Sequence, residues 1–234
     1  MKHIIRRIPD LFYPRCCPGC QKILEDQRRM ICPECEKRLR PVGHPRCYKC
    51  GKPVGKGEYC RDCEKKEHVF DQGRGIFVYS SMMRRSVTRY KYYGCREYGD
   101  FYARAMCLYA QKELRDWAPD LIIPVPMHRA KERLRGFNQA AYLAERVSRC
   151  TGIPADMNLV RKTVKTRSQK KLNALQRRKN LEKAFCVTES VRGLRILVID
   201  DVYTTGSTMD AMAACLKKKG AENVYFLTVC IGCA

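Results

Sequence analysis

The sequence predicts an α/β domain built on a parallel β-sheet, with a small cysteine-rich module in front of it. Three observations carry this expectation. Of the 16 cysteines in 234 residues, eight stand as four Cys-x-x-Cys pairs between Cys17 and Cys63, whereas all the others except Cys16 are scattered singly from Cys95 onward. Beyond residue 68, short apolar runs alternate with segments of helical period, the pattern of strands covered on both faces. The chain is 45% hydrophobic and 30% charged, which is enough to bury a core and argues against disordered and fibrous classes.

Taken in order, residues 1–68 form the cysteine-built module and residues 69–234 the α/β domain. In the second part, 76–79 reads as a strand. Residues 82–92 and 97–115 have helical spacing, with Tyr98, Tyr102, Ala105, Met106 and Tyr109 able to share one face. Residues 121–125 read as a buried strand leading into a loop, 138–150 as a helix, and 195–199 as a second wholly apolar strand. A helix over 207–219 ends at Gly220, and 224–230 is the last strand. The apolar runs at 121–127 and 196–199 fall far short of the ~20 residues that cross a bilayer. The start, Met1-Lys2-His3-Ile4-Ile5-Arg6-Arg7, lacks the apolar stretch and cleavage site of a secretory signal. A cytoplasmic location is expected, where thiols stay reduced and paired cysteines hold metal rather than disulfides.

Cys17-Pro-Gly-Cys20, Cys32-Pro-Glu-Cys35, Cys47-Tyr-Lys-Cys50 and Cys60-Arg-Asp-Cys63 share a two-residue gap that turns both sulfurs of a knuckle toward one ion. Tetrahedral zinc needs two knuckles. Sequential pairing groups Cys17, Cys20, Cys32 and Cys35 around one ion and Cys47, Cys50, Cys60 and Cys63 around another. An interleaved arrangement stays open, as does Cys16 in place of Cys17. Four thiolates leave no free coordination position, so both zinc ions are expected to be structural. The module either binds nucleic acid or protein, aided by Arg38, Arg40, Arg46, Lys49, Lys52 and Lys56, or serves only as a folded cap.

The most informative segment runs from Arg195 to Met209, in which an apolar strand ends in Asp200-Asp201 and Thr204-Thr205-Gly206-Ser207-Thr208 opens a helix. Gly206 permits close backbone approach, helix-start amides face an anion, and the hydroxyls add donors around a phosphate. Two carboxylates at the carboxyl end of a parallel strand stand where such sheets bind ligands, placed to accept hydrogen bonds from vicinal hydroxyls. A Walker A loop is absent because its lysine is missing, and so is the dinucleotide Gly-x-Gly-x-x-Gly pattern.

The segment 196–209 resembles the 5-phosphoribosyl-1-pyrophosphate (PRPP) motif of type I phosphoribosyltransferases, and Pro124-Val125-Pro126-Met127-His128-Arg129 resembles that family's pyrophosphate loop. The resemblance implies that Asp200 and Asp201 contact the ribose hydroxyls, that Thr204 to Thr208 wrap the 5′-phosphate, that Met127, His128 and Arg129 meet the pyrophosphate, and that magnesium bridges the ligand. With the cysteine-rich front and the blocks Arg135-Gly136-Phe137-Asn138-Gln139 and Arg161-x-Thr163…Gln169…Arg177-x-x-Asn180…Phe185, the whole chain is similar to the ComF/ComFC competence proteins. It thus looks like a type I phosphoribosyltransferase-like domain behind a double zinc ribbon or knuckle module. That family implies a cytoplasmic role in the uptake of transforming DNA, beside a helicase of the ComFA type.

The formal net charge of +23 favours polyanions. Residues 161–183 hold ten basic residues, including Arg161, Lys162, Lys165, Arg167, Lys170, Lys171, Arg177, Arg178 and Lys179, against the single acid Glu182. In type I phosphoribosyltransferases the equivalent region forms a hood, so here it is expected either to close on pyrophosphate or to give single-stranded DNA a track. A second basic set, Arg84, Arg85, Arg89 and Lys91, interleaves with Tyr90, Tyr92 and Tyr93, most of which are expected in the core. The amino end, with Ile4, Ile5, Ile8, Leu11 and Phe12 beside Arg6 and Arg7, offers either packing on the zinc module or peripheral contact with the inner membrane. Three functions remain open: a PRPP-binding protein of DNA uptake that binds single-stranded DNA, an active phosphoribosyltransferase in which Asp200, Asp201 and Arg129 position charge for an unknown acceptor, and a zinc-ribbon adaptor with a decayed site. A glutamine amidotransferase is disfavoured, since Met1-Lys2-His3 offers no amino-terminal cysteine nucleophile.

Overall fold

The computed structural model describes residues 14–163 and 184–232. After two single-turn helices, α1 (Pro33–Glu36) and α2 (Arg61–Lys65), come β1 (Gln72–Val78), α3 (Ser81–Tyr92), α4 (Tyr98–Tyr109), α5 (Gln111–Trp117), β2 (Leu121–Pro124), α6 (Arg129–Arg135) and α7 (Gln139–Thr151). Then follow β3 (Val160–Lys162), β4 (Phe185–Val187), β5 (Arg195–Tyr203), α8 (Ser207–Lys218) and β6 (Asn223–Ile231). The main sheet has the order β1-β6-β5-β2 and all its pairings are parallel. β3 and β4 form a separate antiparallel pair.

Side-chain alternation along β5 explains the two layers. Leu197 and Ile199 join Leu227 and Val229 under α3, α4 and α7, while Ile196 and Val198 join Phe226 and Ile231 under α8 and the β3–β4 pair. Successive strand residues point to opposite faces, so a wholly apolar strand is buried on both. Central burial of this kind is why the sheet was legible as apolar runs.

The cysteine module belongs to the same cores. Cys17, Leu24, Ile31 and Cys35 pack into the layer of α3 and α4, whereas Val42, Cys47, Cys50 and Cys60 pack into the layer of α8. Between them the chain crosses the edge strand: Val42 N–H donates to the Ile76 carbonyl at 2.8 Å and Val78 N–H to the Arg40 carbonyl at 2.9 Å. These bonds cover an edge that would otherwise present unpaired backbone groups.

Three local readings are corrected. The helix expected over 97–115 is two, broken at Ala110, and Tyr109, expected on the buried face, is exposed. Of the tyrosines expected mostly in the core, Tyr90 is fully buried but Tyr92 and Tyr93 are 61% and 71% exposed. The strand expected to stop at Ile199 continues to Tyr203, through pairing of Asp200 with Thr228 and Tyr203 with Ile231. Both acids are therefore held in ladder geometry at the strand's end. The amino end proposed to touch a membrane and the basic residues Lys165, Arg167, Lys170, Lys171, Arg177, Arg178 and Lys179 lie outside the described residues. Among the described residues, no helix is long and apolar enough to cross a membrane.

Candidate functional site

Two cysteine groups come together, and their membership is sequential. The sulfurs of Cys17, Cys20, Cys32 and Cys35 all lie within 4.8 Å of one another, as do those of Cys47, Cys50, Cys60 and Cys63. Cys16 belongs to neither group. Each group is built the same way. The Cys17 carbonyl accepts from Gln21 N–H at 2.8 Å and the Cys47 carbonyl from Gly51 N–H at 2.9 Å, and Gln21 and Gly51 both have left-handed φ, 68° and 76°. The second knuckle of each group starts a short helix, with Cys32 and Cys60 at the N-caps. Cys32 N–H also points at the Cys17 sulfur, at 3.5 Å. Although burial opposes the Cys17 thiolate, backbone amides of Cys32, Cys20 and Gly19 outweigh it and lower its pKa to about 7. Four soft sulfurs gathered so closely, with amides aimed at them, fit tetrahedral zinc.

The second site opens at the carboxyl end of β5, where a cleft of about 210 Å³ is lined by Asp200 and Asp201 and by Lys91, His128, Lys131 and Lys162, among others. Asp201 is buried and takes an ion pair from Lys91 Nζ at 2.7 Å. Burial opposes the Lys91 charge, but Asp201 and then Asp200 outweigh it and raise its pKa. The end of α3 is fixed by Tyr90, whose ring packs edge-on against Tyr102 and Phe137 and whose hydroxyl donates to the Gln139 carbonyl at 3.0 Å. That anchor delivers Lys91, one residue on, into the cleft. Asp200 accepts from Asp201 N–H at 2.8 Å. Burial, then the neighbouring Asp201 charge, pushes the Asp200 carboxyl up to about 7, against the pull of Lys91.

Of the ligand residues expected from sequence, Met127, His128, Asp200, Asp201 and Thr208 line this cleft. Thr204, Thr205, Gly206 and Ser207 form the turn beside it, and Arg129 is exposed as the first residue of α6. His128 caps that helix, its Nδ1 accepting from Ala130 N–H at 3.2 Å. Lys162, expected either to close on pyrophosphate or to lie on a DNA track, lines the cleft, with its charge 5.5 Å above the Phe185 ring. Arg161 is exposed. Sequence reasoning missed Lys91 and Lys131 as cleft residues. A lone basic residue among tyrosines was the only signal for the first, and the fully polar face of α6 hid the second.

The turn is braced from below. Gly206 caps α8 with φ 79°, and a Cβ there would stand 2.7 Å from His68 Cε1 and from the Tyr203 hydroxyl, so only glycine fits. His68, just after the last cysteine knuckle, is buried, and its Nδ1 lies 3.0 Å from Asp210 in the first turn of α8. Lys66 also pairs with Asp210, and Val69 N–H donates to it at 3.0 Å. Burial works against the Asp210 charge, but His68 and Lys66 outweigh it and hold its pKa below the ordinary value. Paired acids, a ring of cations and a glycine turn at a helix start can together hold a ligand that carries both hydroxyls and phosphates.

Residues 8–64 match the double zinc ribbon domain, and residues 109–234 match the phosphoribosyl transferase domain. The chain is 30% identical over 203 residues to competence protein ComFC of Bacillus subtilis, covering 81% of this chain and 79% of that one. It is 30% identical over 215 residues to competence protein F of Haemophilus influenzae, covering 89% and 93%. The chain belongs to the ComF/ComFC family. Within the same range of similarity is the DNA utilization protein YhgH of Escherichia coli, 28% identical over 224 residues, covering 94% of this chain and 98% of that one. The fold is thus the parallel-sheet phosphoribosyltransferase type with an amino-terminal double zinc ribbon.

Proposed function

We propose that this ComF/ComFC protein binds PRPP in the cleft beside Asp200 and Asp201 and acts in the handling of DNA during uptake. The observation that carries the reading is the Lys91–Asp201–Asp200 arrangement at the carboxyl end of β5, next to the Gly206 turn. Asp200 and Asp201 accept from the vicinal ribose hydroxyls. Thr204, Thr205, Gly206, Ser207 and Thr208 wrap the 5′-phosphate with backbone amides and hydroxyls. Met127, His128 and Arg129 meet the pyrophosphate, with Lys91, Lys131 and Lys162 supplying positive charge around it. The two carboxylates are hard oxygen donors that fit magnesium, which would partly neutralise the pyrophosphate. The names of the similar proteins, which speak of competence and DNA utilization, support the role in DNA uptake, and the charge of +23 supports contact with single-stranded DNA. A helicase of the ComFA type is the proposed partner.

The test is a titration with a labelled single-stranded oligonucleotide, with and without PRPP and magnesium. The reading expects binding that weakens steeply with salt and changes several-fold when PRPP is present. Oligonucleotide binding that is absent, or indifferent to both salt and PRPP, would leave metabolism as the better account.

A further inference from the structure

We infer that a groove between the first zinc ribbon and α3 binds the phosphodiester backbone of single-stranded nucleic acid, with the Tyr93 ring stacking on a base. The inference rests on the nucleic-acid half of the reading above and assigns it a surface. The groove encloses about 340 Å³ and is lined by Gln21, Arg84, Arg85, Thr88, Arg89 and Tyr93. Three arginines and no carboxylate line it. From Gln72 through Arg96 the chain contains no acidic residue, and among the described residues none of the three arginines makes an ion pair with a carboxylate.

Arg89 supplies the more specific sign. It is half-buried at the groove wall and its Nη1 is buried with no hydrogen-bond partner. Part of the donor capacity of this guanidinium is therefore unused within the protein, and a rotation of the side chain would bring it to an anion in the groove. A guanidinium fork matches the paired oxygens of a phosphate diester. Two further arginines, at the exposed positions 84 and 85, extend the positive surface beyond the reach of one isolated phosphate.

The aromatics select for an unpaired strand. Tyr93 is 71% exposed at the groove, and Tyr92, the residue before it, is 61% exposed, so both rings offer apolar faces to solvent. Base stacking on such rings is available to single strands, whose bases are not already stacked in a duplex. The Arg135 guanidinium lies 4.5 Å above the Tyr92 ring, and Arg135 itself lines the PRPP cleft. A strand seated on the ribbon side would therefore run toward the cleft along a basic and aromatic surface.

Fluorescence anisotropy with a labelled 20-residue oligo(dT) tests the assignment in the intact zinc-loaded protein. The double variant Arg84→Gln/Arg85→Gln should bind at least tenfold more weakly, and the slope of log affinity against log salt should shrink by about 1.4, the value for two lost contacts to a single strand. Tyr93→Ala should weaken binding several-fold. Zinc content and melting temperature should stay at the wild-type values, since all three side chains are exposed. Photocrosslinking of a bromodeoxyuridine oligonucleotide provides a second readout that needs no variant, and the adduct should fall on Tyr92 or Tyr93. Wild-type binding with both variants unchanged and crosslinks elsewhere would overturn the groove and leave the nucleic-acid reading standing. Absence of any binding by the wild type would overturn both, and equal affinity for a duplex would overturn the choice of a single strand.

Discussion

The two zinc ribbons share a local design and differ in what they hold up. Both begin with a knuckle whose fifth residue is left-handed, and both finish on a cysteine-capped helical turn. The first packs under α3 and α4, where Tyr98 donates to the Cys17 carbonyl at 3.5 Å. The second packs against β1, and the chain just after it reaches the first turn of α8, behind Gly206, through Lys66 and His68. The left-handed position shows the consequence. At Gly51 an added Cβ would stand 2.6 Å from the Gly73 carbonyl oxygen, whereas Gln21 keeps its side chain because that turn faces the open groove. The hydrogen bond across the knuckle sets the turn, and the neighbouring element decides which residue the turn tolerates.

Removing a ligand is the harshest way to test that contrast. Cys35→Ser and Cys50→Ser should each take the zinc content from about two ions to about one by elemental analysis, because a four-thiolate site loses most of its affinity with one sulfur. Both should lower the melting temperature by well over 5 °C. Only Cys50→Ser should also weaken PRPP binding, and equal losses in the two variants would erase the distinction between the ribbons.

A gentler comparison uses the turn itself. Gly51→Ala should cost about 2–3 kcal/mol in denaturant unfolding, through strain and backbone collision, while Gln21→Gly should be neutral or stabilise by up to about 1 kcal/mol.

The bracing of the Gly206 turn comes next. His68→Ala should leave both zinc ions in place, speed hydrogen exchange of the amides at 204–208 and weaken PRPP about tenfold. Unchanged exchange at those amides would show that His68 merely fills space.

The smallest effect concerns pH. The Asp200 carboxyl titrates near 7 in the folded chain and near 3.8 when unfolded, so the folded form holds the extra proton between these values. Its contribution to stability is full below about pH 4 and is lost as pH rises toward 7. Asp200→Asn should remove that slope and raise the melting temperature near neutrality by about 3 °C. Because magnesium and ligand hydroxyls favour the charged carboxylate, PRPP affinity should rise from pH 6 to 8 in the wild type and stay flat in the variant.

Much of this was legible in the chain because the physics is local. Strands buried on both faces announce themselves as apolar runs, and the cysteine gap fixes a knuckle within four residues. Asp200 and Asp201 were readable because β5 carries them to its own end. Lys91 was not, since its partner lies 110 residues away and helical period gives the phase of α3 but not what its last turn meets. α6 escaped because Arg129–Arg135 has no apolar face, its one leucine, Leu134, being 87% exposed. The three-residue strands β3 and β4 carry too little pattern to show a period. The exposure of Tyr92 and Tyr93 was misjudged because aromatic residues at helical spacing usually mark a core.

Calorimetric titration of PRPP with magnesium into the wild type and into Asp200→Ala/Asp201→Ala bears most directly on the cleft. Saturable binding at one site in the wild type, lost or weakened at least a hundredfold in the double variant, is the expected result. Equal affinity in the two proteins, or no heat of binding in the wild type, would contradict the assignment.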